Sequence, residues 1–298
     1  MAYTEIQERN GKKYYYRVKS IKIKGKVGKK KVYMGVDLLP EELSKKEREA
    51  DKELGILLAV LEKEELDFLE TIKREFSKEP KENFENRYEV FCSVFTYDST
   101  GIEGNTLTSL ETSFLLFEGI VPNNKDLREI NETLNHKKAF DYMLSYKNDI
   151  TKDFIFELHR LVVNNTLRQD LIPQIGRYRT VQVFIGTSLP PKPSDVPEKM
   201  ANLLKWYANN REKLNPLVIA SYFHAEFEKI HPFVDGNGRV GRLLMNFILH
   251  RNKFPMINIP KIKRGKYYEV LREAQYKNNL RPFLELLMSI LKKESLRF

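Results

Sequence analysis

The chain has 298 residues, 41% hydrophobic and 31% charged, enough for one large domain with a buried core and a small appendage. Its one cysteine, Cys92, excludes an internal disulfide and cannot anchor a zinc site, and no apolar run is long enough to cross a bilayer. The net charge of +10 is unevenly placed: residues 1–35 hold eleven Lys/Arg and two Glu, +9, which leaves +1 for the other 263. Met1-Ala2-Tyr3-Thr4-Glu5 lacks the basic-then-apolar order of a secretory signal, so the chain reads as cytoplasmic, with no membrane partner.

Residues 1–36 read as strands. Asn10-Gly11 is a two-residue hairpin signal, followed by the β-favouring run Tyr14-Tyr15-Tyr16-Arg17-Val18. A second turn at Gly25 to Gly28 leads into Lys31-Val32-Tyr33-Met34, giving a three-stranded sheet studded with lysines. Such a sheet resembles the small arm-binding sheets of phage-type integrases, in shape though not in motif. Nucleic acid is therefore one reading of residues 1–36, and a solvated or protein-docking arm is the other. From Leu39-Pro40-Glu41-Glu42 the pattern turns helical, with proline at the first position and acids in the first turn.

Leu54, Leu57, Leu58, Leu61, Leu66 and Leu69 recur at helical spacing until Pro80 breaks the pattern. A further helix runs through Phe84, Tyr88, Val90, Phe91 and Phe95, and Thr108-x-x-Glu111 has the form of a capping box. Helical patterning resumes around 125–147, 151–167 and 195–212. Between these stretches, Arg179-Thr180-Val181-Gln182-Val183-Phe184-Ile185-Gly186 favours β structure and Pro190-Pro191 closes it. A lone hairpin in a helical domain serves either as a packing flap or as an edge for an extended peptide. The fold class is mainly α, with a small β appendage and one β flap. The expected division is 1–36 appendage, 37–110 helical amino-terminal region and 111–298 core.

The chemistry concentrates in Ile230-His231-Pro232-Phe233-Val234-Asp235-Gly236-Asn237-Gly238-Arg239-Val240-Gly241-Arg242. Gly236-Asn237-Gly238 opens directly into an apolar helix, so successive N–H groups face outward at the positive end of a helix dipole and form a nest for phosphate oxygens. Arg239 and Arg242, three apart, reach the same anion. Asp235 is a hard oxygen ligand for a magnesium ion carried by the phosphates, and His231 is the group able to accept a proton near neutral pH. A cradle, a metal anchor and a base are what phosphoryl or nucleotidyl transfer to a hydroxyl requires.

These residues match every specified position of the Fic-family motif H-x-F-x-(D/E)-G-N-G-R-x-x-R, and the resemblance extends over roughly residues 84–288. It implies a Fic-type helical bundle, with ATP as co-substrate and Mg²⁺ as cofactor, that moves AMP onto a Ser, Thr or Tyr hydroxyl of a target protein or of the chain itself. On this resemblance His231 deprotonates the hydroxyl and Asp235 holds Mg²⁺. Asn237 and the amides of Gly236, Gly238 and Gly241 grip the α- and β-phosphates with Arg239, and Arg242 holds the γ-phosphate. Val183, Phe184, Ile185 and Gly186 form the flap, while Tyr267, Tyr268 and Gln275 line the nucleoside pocket. Gln275 departs from the family's Asn or Asp. Gly238 speaks against the kinase-like Doc branch, which carries Lys there.

Ser99-Thr100-Gly101-Ile102-Glu103-Gly104 matches the family's inhibitory pattern (S/T)-x-x-x-E-(G/N) on the amino-terminal side of the core. The resemblance implies that Glu103, at the end of a helix capped by Gly104, pairs bidentately with Arg242 and removes the γ-phosphate clamp. It also implies a role for Glu103 in removing AMP from a modified target. His136, His159, His224 and His250 read as structural, and Trp206 as core. Two other readings stay open: a nucleic-acid-associated regulator acting through the basic sheet, or a Fic enzyme transferring another group such as UMP. A homodimer is the remaining assembly to consider.

Overall fold

Asn10 and Gly11 both take positive φ (52° and 74°), the two-residue loop whose twist suits a hairpin. They join β1 (Ala2–Arg9) to β2 (Lys12–Ile23), and β3 (Lys26–Val36) pairs antiparallel on the far side of β2. The computed structural model describes residues 2–23, 26–58, 61–78, 82–186 and 188–295. The turn expected at Gly25 to Gly28 therefore falls partly outside the described residues, and Gly28 already lies in β3 opposite Ile21. A register shift sets Tyr15 opposite Gly35 but Tyr16 opposite Tyr33, which leaves Met34 as an extra residue.

Met34 and Tyr15 bury against Ala50 of α1 (Pro40–Leu58), with Leu38 and Leu43 at the edge of this small cluster. Arg17 ties the same sheet face to α1 through two 2.7 Å bonds to the Asp51 carboxylate. Pro40, Glu41 and Glu42 open α1 as the sequence predicts.

The leucine run divides between two helices. α2 (Lys63–Ser77) begins afresh, and Leu61 and Leu69 enter the main core while Leu66 stays exposed. The side chains of Leu54, Leu57 and Leu58, and Pro80, lie outside the described residues. α3 (Glu82–Ile102) follows and sends Cys92, Phe95 and Ile102 into that core. The expected capping box forms: the Thr108 hydroxyl accepts from Glu111 N–H and the Glu111 carboxylate accepts from Thr108 N–H. It starts the short α4 (Ser109–Ser113), which widens into a π turn and stops at Gly119 (φ 71°).

The remaining helices are α5 (Leu127–Ser145), α6 (Lys152–Val163), α7 (Val196–Asn210), α8 (Pro216–Ile230), α9 (Asn237–Arg251), α10 (Arg264–Lys277) and α11 (Arg281–Ser295). α9 is buried nearly all round, from Asn237 through Leu249, because Val240, Leu243, Leu244, Met245, Phe247 and Ile248 leave no polar face. α3, α5, α6 and α8 pack around it. This central helix carries the glycine-rich loop at its amino end, so a deeply buried element of the fold presents the site.

The hairpin expected over Arg179–Gly186 does not form as such. A single antiparallel bridge joins Ile185 to Ser188 around Gly186 (φ 56°). The cause lies at Arg179, which is fully buried and spends its guanidinium on the carbonyls of His231, Val181 and Pro191, while its N–H donates to Pro232 O. The segment is strapped to the loop before α9 instead of pairing with itself. Phe184 at its tip is 76% exposed.

Because the sheet cluster and the main core share no buried residue, they should respond separately to truncation. Phe154→Ala, which removes a fully buried ring stacked on Tyr146, should lower global stability by about 3–5 kcal/mol in urea unfolding. Tyr15→Ala should raise amide exchange in residues 2–36 and leave exchange in α9 unchanged. Loss of α9 protection in that variant would show the two cores to be one cooperative unit.

Candidate active site

α8 ends at His231, whose left-handed backbone (φ 51°, ψ 63°) is unusual for a residue other than glycine. The Arg179 strap on its carbonyl and the bond from its N–H to Phe227 O hold it there. Its Nδ1 lies 3.3 Å from the carbonyl oxygen of Glu228, which fixes the proton on Nδ1 and leaves the Nε2 lone pair facing outward. Burial opposes the imidazolium and pulls the pKa of His231 down to about 4, so the ring is neutral at physiological pH.

The loop after His231 is fastened from beneath. Phe233 is fully buried and stacks on the His159 ring at 3.8 Å. His159 in turn bonds Asp235 O through Nε2 and accepts the Gly176 N–H at Nδ1. Burial pulls its pKa to about 3, which keeps it neutral in that role. The Asn237 side chain closes both bonds of Phe233, accepting from its N–H and donating to its C=O, each at 2.9 Å. Asn237 therefore shapes the loop, and the second N–H of its amide is the donor that would remain for a phosphate oxygen. Gly236 has φ 77°, and a Cβ there would lie 2.8 Å from Val163 Cγ1, so the turn admits glycine alone.

Asp235 is one-third exposed, with Oδ1 accepting from Gly236 N–H at 2.6 Å and from Arg239 at 3.2 Å. Its Oδ2 lies 3.5 Å from Arg128 of α5. Arg239 is buried and also approaches Glu132 at 3.7 Å, yet its Nε and Nη1 have no hydrogen-bond partner. Unpaired buried guanidinium donors are the complement of phosphate oxygens. Among the described residues no group of three or more His, Cys, Asp or Glu gathers as a metal cage. A single accessible carboxylate beside a phosphate nest fits Mg²⁺, which keeps several waters and binds through one or two carboxylates plus phosphates.

Arg242 engages different protein partners from Arg239. Its Nε donates to Ser99 Oγ at 3.0 Å, and its Nη2 donates to Ser99 O at 2.7 Å and to Glu103 Oε1 at 2.8 Å. The pair with Glu103 is a single bond through Nη2 rather than bidentate, and Ser99 takes the Nε donor and the other Nη2 donor. Burial works against the charge of Arg242, but Glu103, Tyr267 and Glu228 outweigh it and raise the guanidinium's pKa. Glu103 follows the last turn of α3, and Gly104 (φ 112°) lets the chain leave it. A Cβ at Gly238 would lie 2.1 Å from Glu103 Oε1, so this carboxylate rests directly on the first turn of α9.

Gly241 serves helix packing: a Cβ there would lie 2.8 Å from Glu228 Oε1 and 2.9 Å from His224 Nδ1. The nucleoside residues separate. Tyr267 is buried with its hydroxyl 2.6 Å from His224 Nε2, and Gln275 is buried with its amide donating to Ala225 O. Both face the interior between α8 and α10, where bonding partners hold them. Tyr268 alone of the three presents its ring, along a groove of α10 with Glu269, Arg272 and Tyr276. Of the flap residues, Phe184 and Ile185 stand exposed.

Several site residues have no sequence signal of their own. Glu132 joins Arg128, Arg239 and Asn105 Nδ2, the last belonging to the segment just after Glu103. Asp98 accepts from Asn258 and Lys261 N, and the Lys261 ammonium donates to Asn105 O, so α3 is tied to the chain before α10. Each is an ordinary charge on a helix until folding supplies a partner more than twenty residues away. Glu228, three residues before His231, is the exception: its place on the inner face of an apolar helix was visible.

Residues 149–249 match the Fic/DOC family. The protein adenylyltransferase Fic of Drosophila melanogaster is 38% identical over 201 residues, 66% of this chain and 40% of that protein, and that of Drosophila persimilis is also 38% identical. The chain thus spans about two-fifths of the length of the curated relatives it matches. A Fic-domain-containing signaling protein from Bacteroides thetaiotaomicron superposes with TM-score 0.68 at 28% identity, over 76% of this chain and 92% of that one. Fic-1 from C. elegans superposes with TM-score 0.69 at 26% identity, over 88% and 77%.

The buried titratable groups set a stability optimum. Burial depresses His159 and His224 to about 3 and His231 to about 4, and lowers His136 and His250, from an ordinary 6.5. Burial, with Glu103 nearby, raises Glu228 from 4.5 to about 8. From pH 4.5 to 6.5 the unfolded chain binds histidine protons that the folded chain refuses, so stability rises with pH despite the one proton that Glu228 retains. At pH 6.5 each unfolded histidine still binds about half a proton, so stability keeps rising until about pH 7, above which the Glu228 proton dominates with opposite sign and stability falls. The urea midpoint should peak near about pH 7, and Glu228→Gln should abolish the decline above it. A decline that persists in the variant would place its cause elsewhere.

Proposed function

We propose that this chain, which belongs to the Fic/DOC family, transfers AMP from ATP to a hydroxyl side chain of a protein, under restraint by its own Glu103. The observation that carries the reading is the loop from His231 to Arg242. Within twelve residues it sets an outward Nε2 lone pair, an accessible carboxylate at Asp235 and unpaired Arg239 donors around the amino end of α9.

In this mechanism His231 Nε2 takes the proton of the target hydroxyl as its oxygen bonds to the α-phosphorus. The bond from the α-phosphorus to the bridging oxygen breaks, and pyrophosphate departs with that electron pair. The backbone amides at the start of α9 and the Arg239 guanidinium stabilise the charge that develops on the phosphates. Asp235 would hold Mg²⁺, which supplies further charge neutralisation when bound. The Ile185–Ser188 turn, with its exposed Phe184, is the edge available to a target peptide. The strap through Arg179 ties this edge to His231, so peptide and base are positioned together.

The same reading makes His231 the residue whose loss separates chemistry from binding. His231→Ala should lower label transfer from α-labelled ATP by about a hundredfold or more, since that is the usual worth of a general base. ATP affinity by calorimetry should stay within a few-fold, because backbone and arginine form the nest. Transfer at near-normal rate would remove His231 from the chemistry.

Glu103 and Arg242 give the second test. Release of Arg242 should improve the alignment of the phosphates, and misplacement by one ångström costs roughly a hundredfold in rate. Glu103→Gly should therefore raise autolabelling by about that factor, and Arg242→Ala should be inactive with or without it. Mass spectrometry of the labelled Glu103→Gly protein with each nucleoside triphosphate in turn identifies the group transferred. Equal labelling of wild type and Glu103→Gly would dismiss the restraint, and a mass gain of UMP would replace AMP.

A further inference from the structure

We propose that the solvent face of the amino-terminal sheet is a stacking platform for single-stranded RNA. The strand register carries the argument. Tyr16 lies opposite Glu5 and Tyr33, and Val18 lies opposite Tyr3 and Lys31. Opposed residues share a face, and residues two apart on a strand share it too, so Tyr3, Tyr14, Tyr16 and Tyr33 project together. α1 covers the other face, where Tyr15, Met34 and Arg17 point.

The rings make a continuous surface. Tyr33 sits 5.4 Å from Tyr16 and 6.4 Å from Tyr14 between centroids, and Val18 is wholly buried beneath this face. Tyr33 is 53% exposed and Tyr3 41%, a large investment of aromatic surface in contact with water. Cations border the rings: Lys29 Nζ lies 5.8 Å over Tyr3, and Lys31 is exposed while pairing with Glu5 at 2.5 Å. Glu5 is the acid on this face.

Charge selects a polyanion as the partner. Residues 1–35 carry +9 while the remainder of the chain carries +1, so a long-range attraction for phosphate is confined to this sheet. The tyrosines then select among polyanions. Bases inside a duplex are stacked on one another and offer no free ring face, whereas single strands lay successive bases on aromatic side chains between phosphate contacts. RNA is the nucleic acid whose bases are commonly unpaired in loops and ends. None of these residues lies near the His231 loop in sequence, and the platform stands or falls apart from the transferase reading.

Fluorescence anisotropy of the full chain tests it, with a labelled oligouridylate of about twelve nucleotides. A DNA duplex of similar length and polyglutamate serve as competing polyanions. The RNA should bind more tightly than either, with affinity falling steeply as salt rises. Tyr33→Ala should weaken RNA binding about tenfold, the usual worth of one stacked base, while Tyr33→Phe retains it. Amide exchange in residues 2–23 and 26–36 of Tyr33→Ala should match that of the parent chain, which certifies the fold of the sheet. Absence of RNA binding at low salt, a preference for the duplex, or equal affinity of Tyr33→Ala and the parent would each overturn the proposal.

Discussion

The contact between Arg242 and the end of α3 is the one on which the rest of the site depends. α9 buries mostly apolar side chains, and with them Asn237, Arg239 and Arg242 in its first two turns and Asn246 in the next. A buried guanidinium is tolerated only when its donors are met. Ser99 meets two of the contacts and Glu103 the third, from a helix that begins and ends outside the glycine-rich loop. The cost of burying Arg242 is thereby offset by residues 139 or more positions away. α3 is held in place for the purpose by Asp98 on Asn258 and by Lys261 on Asn105.

What the sequence made legible were features whose cause is local. Asn10-Gly11, the Thr108–Glu111 capping box and the Gly236 turn are each decided within four residues, and each forms as expected. The motif loop was legible for a related reason: its glycines and its following helix determine the backbone whatever surrounds them. Features set by distant partners were not. The β-favouring run from Arg179 reads as a hairpin because alternation and propensity say so, yet the buried Arg179 guanidinium binds three carbonyls and holds the chain against His231. The bonds that bury Tyr267 on His224 and Gln275 on Ala225 are set by partners 43 and 50 residues away and had no local signal. The clamp that Asn237 makes on Phe233 likewise depends on the folded loop.

The two helices of the site approach one another only because Gly241 has no side chain. Glu228 Oε1 and His224 Nδ1 occupy the space where its Cβ would stand, and neither atom has a hydrogen-bond partner. Burial raises the pKa of Glu228 to about 8, so the carboxyl is protonated through neutral pH and adds no charge behind His231. A neutral carboxyl there is compatible with a neutral His231, whose own pKa burial holds near 4. An ionised one, 3.9 Å from Nδ1, would favour the imidazolium. The burial of Glu228 therefore helps keep the ring of the residue three positions on unprotonated.

On the proposed function, the location of Glu103 would let one carboxylate restrain a nucleotide site without filling it. Its Oε1 lies where a Cβ of Gly238 would be, against the first turn of α9, and it bonds Arg242 as well. Both are features that attract an anion: exposed amides at the positive end of a dipole and a guanidinium beyond them. On the proposed reading, the carboxylate stands where a terminal phosphate would bind, and the two would compete for the same charge. Arg239, facing Asp235 and Glu132, lies outside that competition, and two of its donors stay unpaired. Phosphates nearer the nucleoside can therefore still be held while the terminal one has no partner. That division between an occupied outer subsite and an open inner one is how binding without productive alignment would arise, and it follows from where two arginines on one helix turn find their carboxylates.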